Sequence, residues 1–181
     1  MNLSREKSYP AHFAVKTLLF WLVFLAIMLL YRFFPVFPFS IISCTNESNY
    51  QHYKLGFFAY LITCGIEYLM YRKRIIDRQS FLYSRLAVSL FLPWIIFLVW
   101  YIAPAAVGQM PVPLEIVWAN LAVLLVGLCA VSLETGWVTA VFTRPSRIVI
   151  WVLLFLTIAL FLRFTFGPLP WADVFLEPDW R

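Results

Sequence analysis

The sequence predicts an all-α integral membrane bundle of five transmembrane helices, with the N-terminus cytoplasmic, the C-terminus outside, and residues 1–181 forming one membrane domain. Three observations lead there. Of the 181 residues 63% are hydrophobic and only 13% charged, against roughly 25% charged in a soluble domain. The mean hydropathy is +0.84, more apolar surface than a soluble core of this size can hide. The apolar residues also gather into five runs, each close to the roughly 20 residues that a helix needs to cross a hydrocarbon slab about 30 Å thick.

The first run covers about 15–34, bounded by Lys16 on one side and by Arg32, Pro35 and Pro38 on the other. The second covers about 52–71 and is stopped by Arg72, Lys73 and Arg74. The third covers about 86–102, contains Pro93 and ends at Pro104; Pro93 predicts a kink, because it removes a backbone hydrogen bond and crowds the preceding turn. The fourth covers about 114–137, and the fifth about 148–166, stopped by Gly167, Pro168 and Pro170. None of the runs alternates in polarity, so helices are predicted rather than barrel strands of about 10 residues.

Basic residues near helix ends set the orientation, since Lys and Arg are retained on the cytoplasmic side. Arg5, Lys7 and Lys16 precede the first run, Arg72, Lys73, Arg74, Arg78 and Arg85 lie between the second and third, and Arg144 and Arg147 between the fourth and fifth. These are ten of the fourteen basic residues, all placed on one side; Arg32, Lys54, Arg163 and Arg181 fall on the other, with Asp173, Glu177 and Asp179 in the tail. A membrane surface accounts for the net charge of +5, and no nucleic acid is expected as a partner. The first run is too long for the 7–15-residue core of a signal peptide and is expected to remain as an anchor. Trp94, Trp100, Tyr101 and Trp171 suit interfacial belts. Cys44, Cys64 and Cys129 form no disulfide framework, two of them lying inside apolar runs.

The segment Asn46-Glu47-Ser48-Asn49-Tyr50-Gln51-His52-Tyr53-Lys54 gathers polar chemistry at the outer mouth of the second helix. Thr45, Asn46 or Ser48 can cap a helix start, and Glu47 suits its positive end. His52 is explained less well by capping. With Glu47 it offers an acid–base pair, imidazole titrating near neutral pH. One His and one Glu do not make a metal site, and His12 is expected on the cytoplasmic side.

Within the same helix, His52, Gly56, Ala59, Thr63 and Glu67 recur at spacings of three or four and share one face, while Phe57, Phe58, Leu61 and Ile62 lie opposite. Small and polar residues mark the first face as the one turned into the bundle. Glu67 falls about 22 Å along the helix from His52. The fourth helix matches it with Asn120, Gly127 and Glu134, spaced seven apart. Carboxylates cost at least about 2.5 kcal/mol at the centre of a membrane helix, so Glu67 and Glu134 are candidates for a buried polar function, such as a shared-proton relay. The competing expectation pairs them with Arg72, Arg74, Arg85 or Arg144 near the inner headgroups.

Asn46-Glu47-Ser48, His52, Lys54-Leu55, Phe57-Phe58 and Ile66-Glu67-Tyr68 together resemble a domain-of-unknown-function family of small prokaryotic multi-pass membrane proteins, with an Asn-Glu-Ser segment, three variable residues, His, a Lys-Leu pair and a later Ile-Glu-Tyr. The resemblance is specific over about 25 residues. It implies that Asn46, Glu47, His52, Lys54 and Glu67 form the shared signature and that the chain resides in a prokaryotic plasma membrane. Members of that family often carry a His near the end of the first helix, where this chain reads Leu30-Tyr31-Arg32-Phe33.

The leading functional expectation is an outer-face site that binds or modifies a lipid-like molecule: Glu47 and His52 as the reacting pair, Asn46 and Lys54 as binding groups, Lys54 holding an anionic headgroup. A second is a proton-linked transporter or permease component using Glu67, Asn120 and Glu134. A third is a structural or assembly subunit of a membrane complex. Membrane lipids are the expected partners, with a second copy or a membrane-complex partner for the latter two. No nucleotide-binding loop, paired-His zinc motif, Gly-x-Ser-x-Gly elbow or CxxC is present, so the sequence names no cofactor or metal and leaves open whether the chain is an enzyme.

Overall fold

A computed structural model describes residues 13–167 and 173–175, the last three as a single 3-10 turn, Asp173–Phe175. Expectations resting on Arg5, Lys7, His12, Trp171, Glu177, Asp179 and Arg181 lie outside the described residues. The described elements are α1 (Phe13–Phe33), α2 (Phe37–Ile42), α3 (Asn49–Tyr71), α4 (Arg78–Trp100), α5 (Ile102–Val107), α6 (Val112–Trp137) and α7 (Arg144–Phe166), with no strand among them.

The five apolar runs are all helical, but the helices begin earlier than the runs do. α3 starts at Asn49, α4 at Arg78 and α7 at Arg144, because polar residues continue a helix readily once it leaves an apolar environment. Asp77 fixes the start of α4: its Oδ1 accepts the backbone N–H groups of Gln79 (2.9 Å) and Ser80 (3.2 Å). The bond from Ser80 holds its carboxyl below the usual carboxylate range. α4 passes through Pro93 without ending. The two short helices α2 and α5 occupy stretches that read as loops, each holding a proline in its first turns or body.

Helices α1, α4 with α5, α6 and α7 are long and apolar enough to cross a membrane. α3 is equally long, 23 residues, but carries Asn49, Gln51, His52, Lys54 and Glu67 and falls short of that apolarity. The packing explains how it tolerates them. α1, α3, α4 and α6 form a closed ring of four, each touching the next, and α7 lies outside it against α4. α3 is the most buried helix of the ring: Gly56, Ala59, Thr63 and Glu67 are buried as their spacing predicts. The opposite face departs from expectation, since Phe57 is fully buried as well, its ring 5.4 Å from that of Phe161 on α7. Tyr50 completes this seam through Phe161, Phe164 and Phe175 and donates its hydroxyl to the carbonyl of Leu160 (2.9 Å).

The ring places the ends of its helices consistently. The starts of α1 and α4 and the ends of α3 and α6 share one end, here the basic end, beside Arg72, Lys73, Arg74, Arg78 and Arg144. At the far end lie the last turn of α1, the start of α3 and the start of α6.

Where α1 meets α6 the contact depends on Gly127. A Cβ there would sit 3.0 Å from Cδ1 of Phe20 and 3.2 Å from Cγ2 of Thr17, whereas one at Gly136 would meet nothing within 4 Å. Gly127→Leu is therefore expected to cost about 1–3 kcal/mol by overpacking. Gly136→Leu should leave the thermal unfolding midpoint in detergent unchanged; equal midpoints for the two variants would show that the seam does not require glycine.

Candidate functional site

Two polar assemblies stand out, one at each end of the four-helix ring. At the basic end each ring helix contributes one charged side chain to a single buried cluster. Lys16 of α1, Glu67 of α3, Arg85 of α4 and Glu134 of α6 are 1%, 1%, 2% and 0% exposed. Lys16 donates from Nζ to Glu67 Oε2 and to Glu134 Oε2, each at 2.5 Å. Arg85 donates from Nε to Glu67 Oε2 (2.9 Å) and from Nη2 to Glu67 Oε1 (3.0 Å), and its Nη2 lies 2.8 Å from Glu134 Oε1. Its third nitrogen, Nη1, reaches the carbonyl of Phe81 and the hydroxyl of Ser84, and the guanidinium lies over the Phe81 ring. Tyr60 donates its hydroxyl to Glu134 Oε2.

Two cations face two carboxylates, so the cluster carries no net formal charge. Neutrality matters because ions taken out of water are costly unless paired and hydrogen-bonded on all sides, as these are. Lys16 and Arg85, expected among the cations at the cytoplasmic helix ends, are inside helices and buried. Lys16 lies three residues into α1, Glu67 four from the end of α3 and Glu134 three from the end of α6, roughly 5–6 Å from the helix termini. Of the expected boundary set, Arg85 engages both carboxylates. Glu67 and Glu134 do meet, but across two cations, which removes the need for a shared proton. Cys64 Sγ and the two carboxylates lie within 4.8 Å of one another, a spacing that suits a metal ion, but the carboxylate oxygens already serve Lys16 and Arg85.

At the far end the ring opens into a cavity of about 960 Å³. Phe20, Phe24, Ala119, Ala122, Val123 and Val126 line its depth. Its mouth is polar and comes from three elements: Tyr31 and Arg32 from the end of α1, Asn46, Glu47, His52 and Tyr53 from the approach to α3 and its first turns, and Glu115 from the first turn of α6. The groups picked out in the 46–54 segment separate here. Asn46 Oδ1 accepts from the backbone N–H (3.1 Å) and hydroxyl (2.7 Å) of Ser48, which occupies the cap position of α3. The Ser48 carbonyl in turn lies 3.0 Å from His52 Nδ1. A carbonyl can only accept, so Nδ1 carries the proton and Nε2 is turned to Glu47, 3.9 Å from its Oε2. The pair is 30% and 46% exposed, within reach of an incoming molecule.

Lys54 does not join them. It is 0% exposed, does not line the cavity, and donates to the carbonyl of Ser40 (2.9 Å) and the hydroxyl of Thr165 (3.1 Å), joining α3 to α2 and α7. The expected anionic-headgroup cation is thus a structural tie, because residue 54 is two positions beyond His52 and points to another side of the helix. Arg32 and Glu115, which the sequence reading left out of the site, occupy the mouth. Asn120 lies at mid-depth, where it accepts from Trp21 Nε1 (3.1 Å) and bridges α6 to α1, away from Glu134. Comparison with family models, curated proteins and solved structures gives no match to this chain.

The cluster makes an energetic prediction. Removing one partner leaves a buried charge unbalanced, so Lys16→Met or Glu134→Gln alone is expected to lower stability by about 3–5 kcal/mol. The double variant should recover a large part of that loss in a double-mutant cycle read by thermal or denaturant unfolding; additive losses would show that the two side chains do not act as a pair.

Proposed function

We propose that the chain is a five-crossing membrane protein, α3 included, with its N-terminus cytoplasmic, and that it binds a lipid of the outer leaflet in the far-end cavity. One observation carries the reading: the cavity is polar at its mouth, apolar in its depth and about one leaflet long. Along α1 it extends from Arg32 to Phe20, roughly 18 Å at the helical rise, and along α6 from Val112 to Val126, roughly 21 Å. Half of a hydrocarbon slab of about 30 Å is about 15 Å, the depth of one acyl layer. A soluble metabolite has no use for so deep an apolar wall, whereas an acyl chain gains from every methylene it buries.

Several features support the orientation. With Lys16 and Arg85 buried in the cluster, Arg72, Lys73, Arg74, Arg78 and Arg144 remain exposed together at the basic end. That bias favours the basic end in the cytoplasm and the cavity mouth outside. Leu29 and Ile116 line the cavity and are exposed, so its wall is incomplete between α1 and α6, where a lipid tail can enter sideways.

If the lipid is modified as well as held, His52 Nε2 is the group to accept or return a proton at the headgroup. The Asn46–Ser48 turn fixes the ring, and Glu47 Oε2 lies 3.9 Å from Nε2. A relay through Glu67 and Glu134 finds less support, because the cavity stops short of both carboxylates and each is clamped by Lys16 and Arg85.

The test is retention. After gentle detergent extraction from membranes, native mass spectrometry of the full chain is expected to show one tightly held lipid. Ala122→Trp, which fills the cavity, should release it, and Val117→Trp, on the exposed side of α6, should not. Retention unaffected by Ala122→Trp would remove the cavity as the lipid site.

A further inference from the structure

Resting on the lipid reading above, we infer that the headgroup recognised at the cavity mouth is zwitterionic, with a primary ammonium beside a phosphate. The charges at the mouth point to this chemistry. Arg32 is its permanent cation; Glu47 and Glu115 are its carboxylates, and they approach from the loop before α3 and from the first turn of α6. Lys54, which would have tipped the balance toward anions, is turned away onto Ser40 and Thr165. An anionic headgroup entering this mouth meets one permanent cation, Arg32, and two like charges, Glu115 and the Glu47 that faces His52, close to low-dielectric walls, where repulsion is poorly screened.

A zwitterion satisfies both signs. The phosphate takes the planar donor fork of Arg32, for which guanidinium is the best-matched side chain. The ammonium lies between Glu47 and Glu115 and donates to them. A quaternary amine has the charge but no N–H to donate, so a primary amine is favoured over a choline headgroup. Uncharged groups at the mouth are partly committed elsewhere: Asn46 to Ser48, and Asn49, through its amide, to the hydroxyl of Tyr101 (3.0 Å). Tyr53 adds one further group. It lines the cavity, and its hydroxyl oxygen is buried with no hydrogen-bond partner among the described residues, an arrangement that an acceptor oxygen of a bound phosphate or ester would relieve after a small rotation.

The experiment is a headgroup competition. The purified full chain is equilibrated with vesicles holding equal amounts of phosphatidylethanolamine, phosphatidylcholine and phosphatidylglycerol with identical acyl chains, then extracted, and its retained lipid is identified by mass spectrometry. The expected result is phosphatidylethanolamine over each competitor by about tenfold, the size of one charge-assisted hydrogen bond. Glu47→Gln and Glu115→Gln, singly and together, should reduce that preference toward equal retention of the three headgroups. Equal or greater retention of phosphatidylglycerol or phosphatidylcholine by the unaltered chain overturns the headgroup assignment and leaves the lipid cavity standing, as does a preference that survives both Gln substitutions. Absence of any retained lipid overturns both.

Discussion

Four helices meet at one buried point where two positive and two negative charges cancel, and the rest of the structure is arranged around that balance. Lys16, Glu67, Arg85 and Glu134 come one from each helix of the ring, so no helix can leave without stranding a charge in an apolar interior. Such groups do more for specificity than for raw stability. A well-packed apolar centre would hold four helices as firmly, but it would tolerate sliding and rotation that a tetrad with fixed donor and acceptor directions does not. The cluster also accounts for α3, which is too polar for an ordinary membrane helix. Its Glu67 has a place only because Lys16 and Arg85 come from opposite neighbours.

Pinning the ring at the basic end leaves the other end free to part. Toward the far end α6 faces the interior with Ala119, Ala122 and Val123, side chains too short to fill the space to α1 and α4. The outcome is a cavity instead of a core. Tyr60 joins the two regions. Its hydroxyl holds Glu134 in the cluster, while its ring lies 6.1 Å edge-on from Phe20, which forms part of the cavity wall. Closure of the basic end therefore sets the position of the cavity's deepest residue. Trp21 and Asn120 hold α1 to α6 partway up, and above them the wall is open.

Much of this was legible in the sequence. The helical class and the five apolar runs follow from composition and length, and the buried face of α3 follows from the spacing of Gly56, Ala59, Thr63 and Glu67. The alignment of Gly127 with Glu134 reports a true contact face, with Gly127 against Phe20 and Thr17. The partners of the carboxylates were harder to read. Lys16 stands at the edge of an apolar run, where a headgroup cation and a buried one look alike. The available signal was its register with Phe20, Phe24 and Ile27, all buried on the same face. Lys54 turns to Ser40 and Thr165, away from His52, because nearness in sequence does not mean a shared direction on a helix. Arg32 and Glu115 are 83 positions apart in the chain, and only the folding of α6 beside α1 brings them to one mouth.

The most direct test of the account asks what fills the cavity in a membrane. A small aliphatic diazirine side chain at position 122, inside the cavity and too short to fill it as an indole would, and another at position 152, on the exposed face of α7, can be cross-linked in native membranes and the products identified by mass. The account predicts that position 122 forms a single lipid adduct that survives dilution into detergent before irradiation, while the lipid adducts at position 152 disappear on that dilution. Adducts at position 122 made only with water or with neighbouring residues would contradict it.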